Sequence, residues 1–119
     1  MFVHLRLHTK FSVIDGTCRI DDVISSAASD QQAALAITDL DNLFGAIKFY
    51  KAGRKRGIKK PILGAEIWLE SADQNATSRL LLLVQNHQGY LNLCELLSRA
   101  WTENAGKPEA SVSKAPANI

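Results

Sequence analysis

Met1-Phe-Val-His-Leu-Arg-Leu-His-Thr-Lys-Phe-Ser-Val-Ile-Asp-Gly16 opens the chain, and its alternation decides how the rest is read. Successive side chains of an extended segment point to opposite faces. Val3, Leu5 and Leu7 therefore share one face, and Phe2, His4, Arg6 and His8 the other. One face suits a core, and the other carries a row of polar groups. His8 and Thr9 then enter a loop that closes at Asp15-Gly16. Histidines and carboxylates at the carboxyl end of a first strand are what a metal site in an α/β domain uses. They are also ordinary strand-end polar residues, and spacing alone favours that plainer reading.

Beyond this stretch, Ile20-Asp21-Asp22-Val23-Ile24 begins a helix. Its acids meet the positive end of the helix dipole, and Val23, Ile24, Ala27 and Ala28 form an apolar stripe. Ala34 to Thr38 reads as a short buried strand, stopped by Asp39-Leu40-Asp41-Asn42. Asp41 or Asn42 can cap a helix from Leu43 to Arg56, with Leu43, Phe44, Ile47 and Tyr50 among its apolar positions. Arg54-Lys55-Arg56-Gly57 supplies the stop signals. Pro61 to Leu69 reads as a third strand and Arg79 to Val84 as a fourth, central one. Tyr90 to Thr102 reads as a last helix with Leu91, Leu93, Cys94, Leu96, Leu97 and Trp101 for packing. From Glu103 onward there is little to bury, so residues 103–119 are expected to form a disordered tail. The order β-α-β-α-β-β-α predicts an α/β domain of about four mostly parallel strands and three helices. Its sheet would have open edges, as the front of a larger barrel would.

The 119 residues suffice for one domain. A formal net charge of +2 is too mild to argue for nucleic acid by itself. Cys18 and Cys94 stand in no metal or redox spacing and read as reduced thiols of a cytoplasmic protein. His4, Arg6, His8 and Lys10 interrupt the apolar run that a signal peptide needs. The longest apolar stretch, Leu80 to Val84, is far too short to span a bilayer, so no membrane partner is expected.

Four ordered blocks, at 2–16, 34–39 (Ala-Leu-Ala-Ile-Thr-Asp), 42–52 (Asn-Leu-Phe-Gly-Ala-Ile-Lys-Phe-Tyr-Lys-Ala) and 57–66 (Gly-Ile-Lys-Lys-Pro-Ile-Leu-Gly-Ala-Glu), resemble a known family. It is the amino-terminal PHP domain of the bacterial replicative DNA polymerase III alpha subunit. Leu-Leu-Leu-Leu-Val-Gln-Asn-His-Gln-Gly-Tyr-Leu-Asn-Leu at 80–93 is similar to that family's next strand and helix. The resemblance implies a distorted (β/α)7 barrel, of which residues 1–102 form the first half, a partial PHP domain. In PHP domains generally, histidines and carboxylates at the strand ends hold up to three metal ions that hydrolyse phosphoesters. The resemblance places the first motif's histidines at Arg6 and His8 and its aspartate at Asp15. Thr38-Asp39-Leu40 takes the place of a Thr-Asp-His motif, and Glu66 that of the carboxylate after the third strand's glycine.

Arg6 and Leu40 are thus lost ligand positions, since a guanidinium cannot ligate and a leucine has no donor. His8, Asp15 and Glu66 are vestigial candidates that suit a structural arrangement as well, with Arg6 standing where an ion would be and pairing with Asp15 or Glu66. No catalytic residue, metal or other cofactor is expected. The implied function is a truncated alpha-subunit sequence in DNA replication, through a frameshift, an early stop or a pseudogene. It would be scaffolding in role, with the rest of the alpha subunit and the proofreading exonuclease subunit as partners. The resemblance puts the polymerase catalytic aspartates several hundred residues downstream, so these residues are not expected to extend a primer by themselves. Two alternatives stand beside it: a metal-dependent phosphoesterase or 3'-5' exonuclease using zinc, manganese or magnesium, and a stand-alone partner-binding module.

Other residues are assigned plainer roles. Asp39 reads as a cap, His4 as a hydrogen-bonded structural histidine, His87 as part of a polar turn, and Trp68 and Trp101 as core or interface anchors. Arg54, Lys55, Arg56, Lys59 and Lys60 read as a solvated helix end and not a DNA contact, because nothing aromatic is interleaved with them.

Overall fold

The computed structural model describes residues 2–13, 15–70, 77–103 and 111–112. Three helices, α1 (Ile20–Ser29), α2 (Ala46–Lys55) and α3 (His87–Glu103), accompany strands β1 (Ala34–Leu40), β2 (Lys60–Glu70), β3 (Thr77–Leu83) and the two-residue β4 (Ser111–Val112). β1, α2 and β2 form a crossover unit, with β1 and β2 parallel from Ala34↔Lys60 to Leu40↔Glu66. β3 returns antiparallel to β2, from Gly64↔Leu83 to Glu70↔Thr77. β4 lies parallel to β2 at Trp68↔Ser111.

The mostly parallel α/β reading holds, since β3 alone runs antiparallel among the described pairings. Every β1 residue but Leu40 is buried, which explains its unbroken run of small and apolar residues. The helices share one face of the sheet. There Leu35, Ile37 and Leu63 meet Ile20, Ile24 and Ala27 of α1 and Phe49 of α2. Further along β2, Ala65 and Ile67 meet Leu93, Leu96, Leu97 and Ala100 of α3. Strand alternation then turns Gly64, Glu66 and Trp68 to the opposite face, beside Thr38 and Leu40 of β1 and Arg79 and Leu81 of β3.

Four sequence expectations need correction. The opening segment is not a full strand. It touches β1 through one parallel bridge, His4–Leu35, and through Ala36 N donating to His4 O and Thr38 N to Leu7 O. These bonds lie two residues apart on β1 but three apart on the opening segment, so one residue is extra. Leu7 N donates instead to the Thr38 hydroxyl at 2.9 Å. The inserted residue breaks the alternation, leaving Leu5 44% exposed while Leu7 still reaches the core.

β3 ends the sheet path instead of occupying its centre, and Leu80 and Leu83 are exposed. α2 begins at Ala46 behind Gly45, without a side-chain cap. Its buried positions are Ala46, Phe49 and Gly53, whereas Phe44, Ile47 and Tyr50 are 74%, 64% and 46% exposed. The stripe that packs is made of small residues around one phenylalanine, and the more apolar one faces outward. His87, finally, opens α3 and does not sit in a turn.

Of the expected tail, 104–110 and 113–119 lie outside the described residues, Glu103 ends α3 and Ser111–Val112 pair with β2. No helix among the described residues is long and apolar enough to cross a membrane.

Candidate functional site

On the face of the sheet away from the helices, polar contacts join four of the five residues singled out above. Arg6 Nε lies 3.2 Å from both Glu66 carboxylate oxygens, and its Nη2 lies 3.1 Å from Oε1. His8 stands between two carboxylates, with Nδ1 3.1 Å from Asp15 Oδ2 and Nε2 against Glu66 Oε2. Both ring nitrogens thus face carboxylate oxygens. Glu66 is 5% exposed, so the Arg6 and His8 side chains stand around its carboxylate where water otherwise would.

Arg79 extends the row. Its Nη1 donates to Asp15 Oδ2 at 2.6 Å, and its guanidinium lies 4.4 Å above the Trp68 ring, within cation–π range. The hydrogen bond from Arg79 is the main reason that the Asp15 carboxyl is held below the usual aspartate range, and the charges of Arg79 and His8 add to it. The cluster therefore runs Arg6–Glu66–His8–Asp15–Arg79, joining the opening segment, β2, the first loop and β3. Sequence reasoning missed Arg79 because its place depends on the β2–β3 register, which sets it opposite Trp68. Reading β3 as the antiparallel partner of β2 would have brought the Trp68 and Arg79 positions together.

Asp39 supports the cluster from below. It is 2% exposed and caps no helix. Its carboxylate accepts from Thr9 N at 2.6 Å, from Thr9 Oγ1 and from Ser12 Oγ at 2.8 Å. Asn42 adds bonds from Nδ2 to Phe11 O and Leu40 O. These contacts fix the loop that carries Asp15. Gly16 closes it, since a Cβ there would lie 2.2 Å from Thr9 O. Leu40, opposite Glu66 in the register, brings no donor atom to the row. His4 is exposed and meets the edge of Phe2 at 4.5 Å between ring centres. His87 lies apart from the cluster, exposed at the start of α3. Trp101 is half exposed, with its Nε1 donating to Asp41 O at 2.7 Å.

Chemically, this is a row of guanidinium, carboxylate and imidazole groups that serve as one another's partners. Among the described residues, no group of three or more His, Cys, Asp and Glu side chains is arranged to hold a metal ion.

Residues 4–116 match the family model of the PHP domain. The chain is 45% identical to DNA polymerase III subunit alpha of Pseudomonas aeruginosa, over 95% of this chain and 10% of that protein. It is 40% identical to DNA polymerase III subunit alpha of Xylella fastidiosa, over 97% of this chain and 11% of that protein. The chain thus spans about a tenth of the length of these relatives. Among solved structures it is similar to an amidohydrolase from Chromobacterium violaceum with bound sulfate and no metal. The two share 27% identity and a TM-score of 0.61, over 82% of this chain and 35% of that one, as expected of part of a distorted barrel.

Proposed function

The chain belongs to the PHP-domain family, and from that premise we propose that it is a structural part of a bacterial DNA polymerase III alpha subunit. Acting in the cytoplasm, it would brace the polymerase in DNA replication and help to dock the proofreading exonuclease subunit. It would not hydrolyse phosphoesters at a metal centre, and no metal belongs to its working state. The observation that carries this reading is the Arg6–Glu66 pair. A guanidinium covers the carboxylate that the resemblance would give to a metal. It is a permanent cation that cannot be displaced by deprotonation. His8, the remaining ring, has both nitrogens turned to carboxylates, so binding an ion would break one of these contacts. With Leu40 in the third ligand position, the residues present do not fit a metal cluster.

Calorimetric titration of the purified chain with zinc and manganese tests this. The native chain is expected to bind neither tightly. The double variant Arg6→His, Leu40→His, which restores the two missing donors, should bind zinc at least about tenfold more tightly, the lower end of what ligand-shell changes produce. Stoichiometric, tight metal in the native chain that Glu66→Gln abolishes would establish the phosphoesterase reading instead. Separately, capture of the exonuclease subunit by the alpha subunit should weaken when this domain is deleted.

A further inference from the structure

We propose that the outward face of α2 is a binding surface for single-stranded nucleic acid. The proposal is independent of whether the ion cluster ever holds a metal. From Leu43 to Ala65 the chain contains seven lysines and arginines and no acid. That is half of its 14 cations, leaving seven against all 12 acids elsewhere. A chain of net charge +2 is therefore strongly polarised, with one basic segment on a negative remainder.

The structure shows where those charges point. Ala46, Phe49 and Gly53 take α2's buried side. At about 3.6 residues per turn, the opposite arc presents Tyr50, Arg54, Ile47, Lys51, Lys55 and Lys48 in that order, all exposed. Lys59 continues the basic track just beyond the helix end, also exposed. No described carboxylate pairs with Lys48, Lys51, Lys55, Lys59 or Lys60. Arg54 and Arg56 turn to neutral acceptors, Lys59 O and Ser25 Oγ. A polyanion lying across such a group relieves its mutual repulsion and releases its own counterions.

Two aromatic rings decide the class of anion. Tyr50 lies on the arc and Phe44 just before the helix, 46% and 74% exposed. The sequence alone hides this, because helical periodicity places Phe44 and Tyr50 on the packed side. Cations with adjacent free ring faces suit a strand whose phosphates and unstacked bases are both available. A duplex offers phosphates but keeps its bases stacked. An anionic lipid surface would need a continuous apolar helix face to sink into the bilayer, whereas on this arc the exposed Ile47 is flanked by Arg54 and Lys51.

The test is fluorescence anisotropy of a short labelled oligothymidylate with the purified chain across a salt series. Binding should weaken with salt, with a log–log slope of about −0.7 per phosphate contacted. Lys51→Gln with Lys55→Gln should weaken binding about tenfold or more, on the scale of losing two phosphate contacts. Phe44→Ala and Tyr50→Ala should each weaken it by about fivefold to a hundredfold, the range for one stacked base. Arg99→Gln, on α3, should leave it unchanged. All these positions are exposed, and circular dichroism checks that each variant stays folded. No binding at low salt overturns the proposal. So does equal binding of a duplex with neutral aromatic variants, or stronger binding to phosphatidylserine vesicles than to the oligonucleotide.

Discussion

At the scale of single residues, His8 and Asp15 show how the row of ions is held together and what it depends on. Asp15 is exposed, and its carboxyl is held below the usual range chiefly by the hydrogen bond from Arg79. A folded-state value below that of an unfolded aspartate, about 3.9, means that the native state gains stability from the charged carboxylate. That gain is complete above the unfolded value and is lost as pH falls through the folded one. Asp15→Asn should therefore melt at a lower temperature than the native chain at pH 7. The gap should close as pH drops below about 4. Thermal melts at a series of pH values check this, and a gap that persists unchanged at the acid end would mean that Asp15 stabilises by shape alone. The pairing of Arg6 with Glu66 could be anticipated from the sequence, because a cation in a histidine's place needs a nearby carboxylate. The role of Asp39 could not, since a buried carboxylate that serves a loop looks like a cap when only its neighbours in sequence are known.

At the scale of elements, the existence of the three helices and of β1, β2 and β3 was legible from apolar periodicity, whereas their facing was not. α2 is the clearest case. Its sequence has two apolar stripes, and counting hydrophobic residues selects Phe44, Ile47 and Tyr50 over the smaller Ala46, Phe49 and Gly53. Packing selects the reverse, because small positions let the helix approach the sheet, where Pro61 lies within 4 Å of a Cβ placed on Gly53. Phe49, 1% exposed, then fills the space beside Ile24 and Ile37. Phe49→Ala should cost about 3–5 kcal/mol, the usual range for emptying a buried aromatic site. Ile47→Gln should change stability by no more than about 0.5 kcal/mol, as exposed substitutions do. Urea denaturation of the two variants settles which face is the core. A larger loss at Ile47 than at Phe49 would restore the assignment based on counting. The opening segment failed differently, because its alternation was real but one extra residue shifts it midway, and no periodicity reveals a bulge before the hydrogen bonds are known.

At the scale of the whole molecule, the order of elements carried the barrel reading, and the open sheet is its physical consequence. β3 pairs with β2 on one side only among the described residues. Its free edge carries Leu80 to Leu83 in succession, with Leu80 and Leu83 each 40% exposed. Natural edge strands are blunted by charges, prolines or bulges. Here a single charge, Arg79, guards the edge, and it is drawn across the sheet to Asp15 and Trp68. Such an edge pairs readily with another strand. In the alpha subunits, which are about ten times as long as this chain, further sequence is available to cover it. In a solution of the 119-residue chain, another copy is the partner at hand. Antiparallel pairing of two β3 strands about a two-fold axis would bring the same apolar residues together from both copies. The chain should therefore associate as its concentration rises, and its melting temperature should rise with it. Leu80→Lys, which puts a charge on the edge without touching the buried positions, should return it to a monomer. Light scattering coupled to size-exclusion chromatography reads the mass directly. A native chain that stays monomeric, with a sharp transition independent of concentration, would mean that three strands and a covered helix face suffice without the edge being paired.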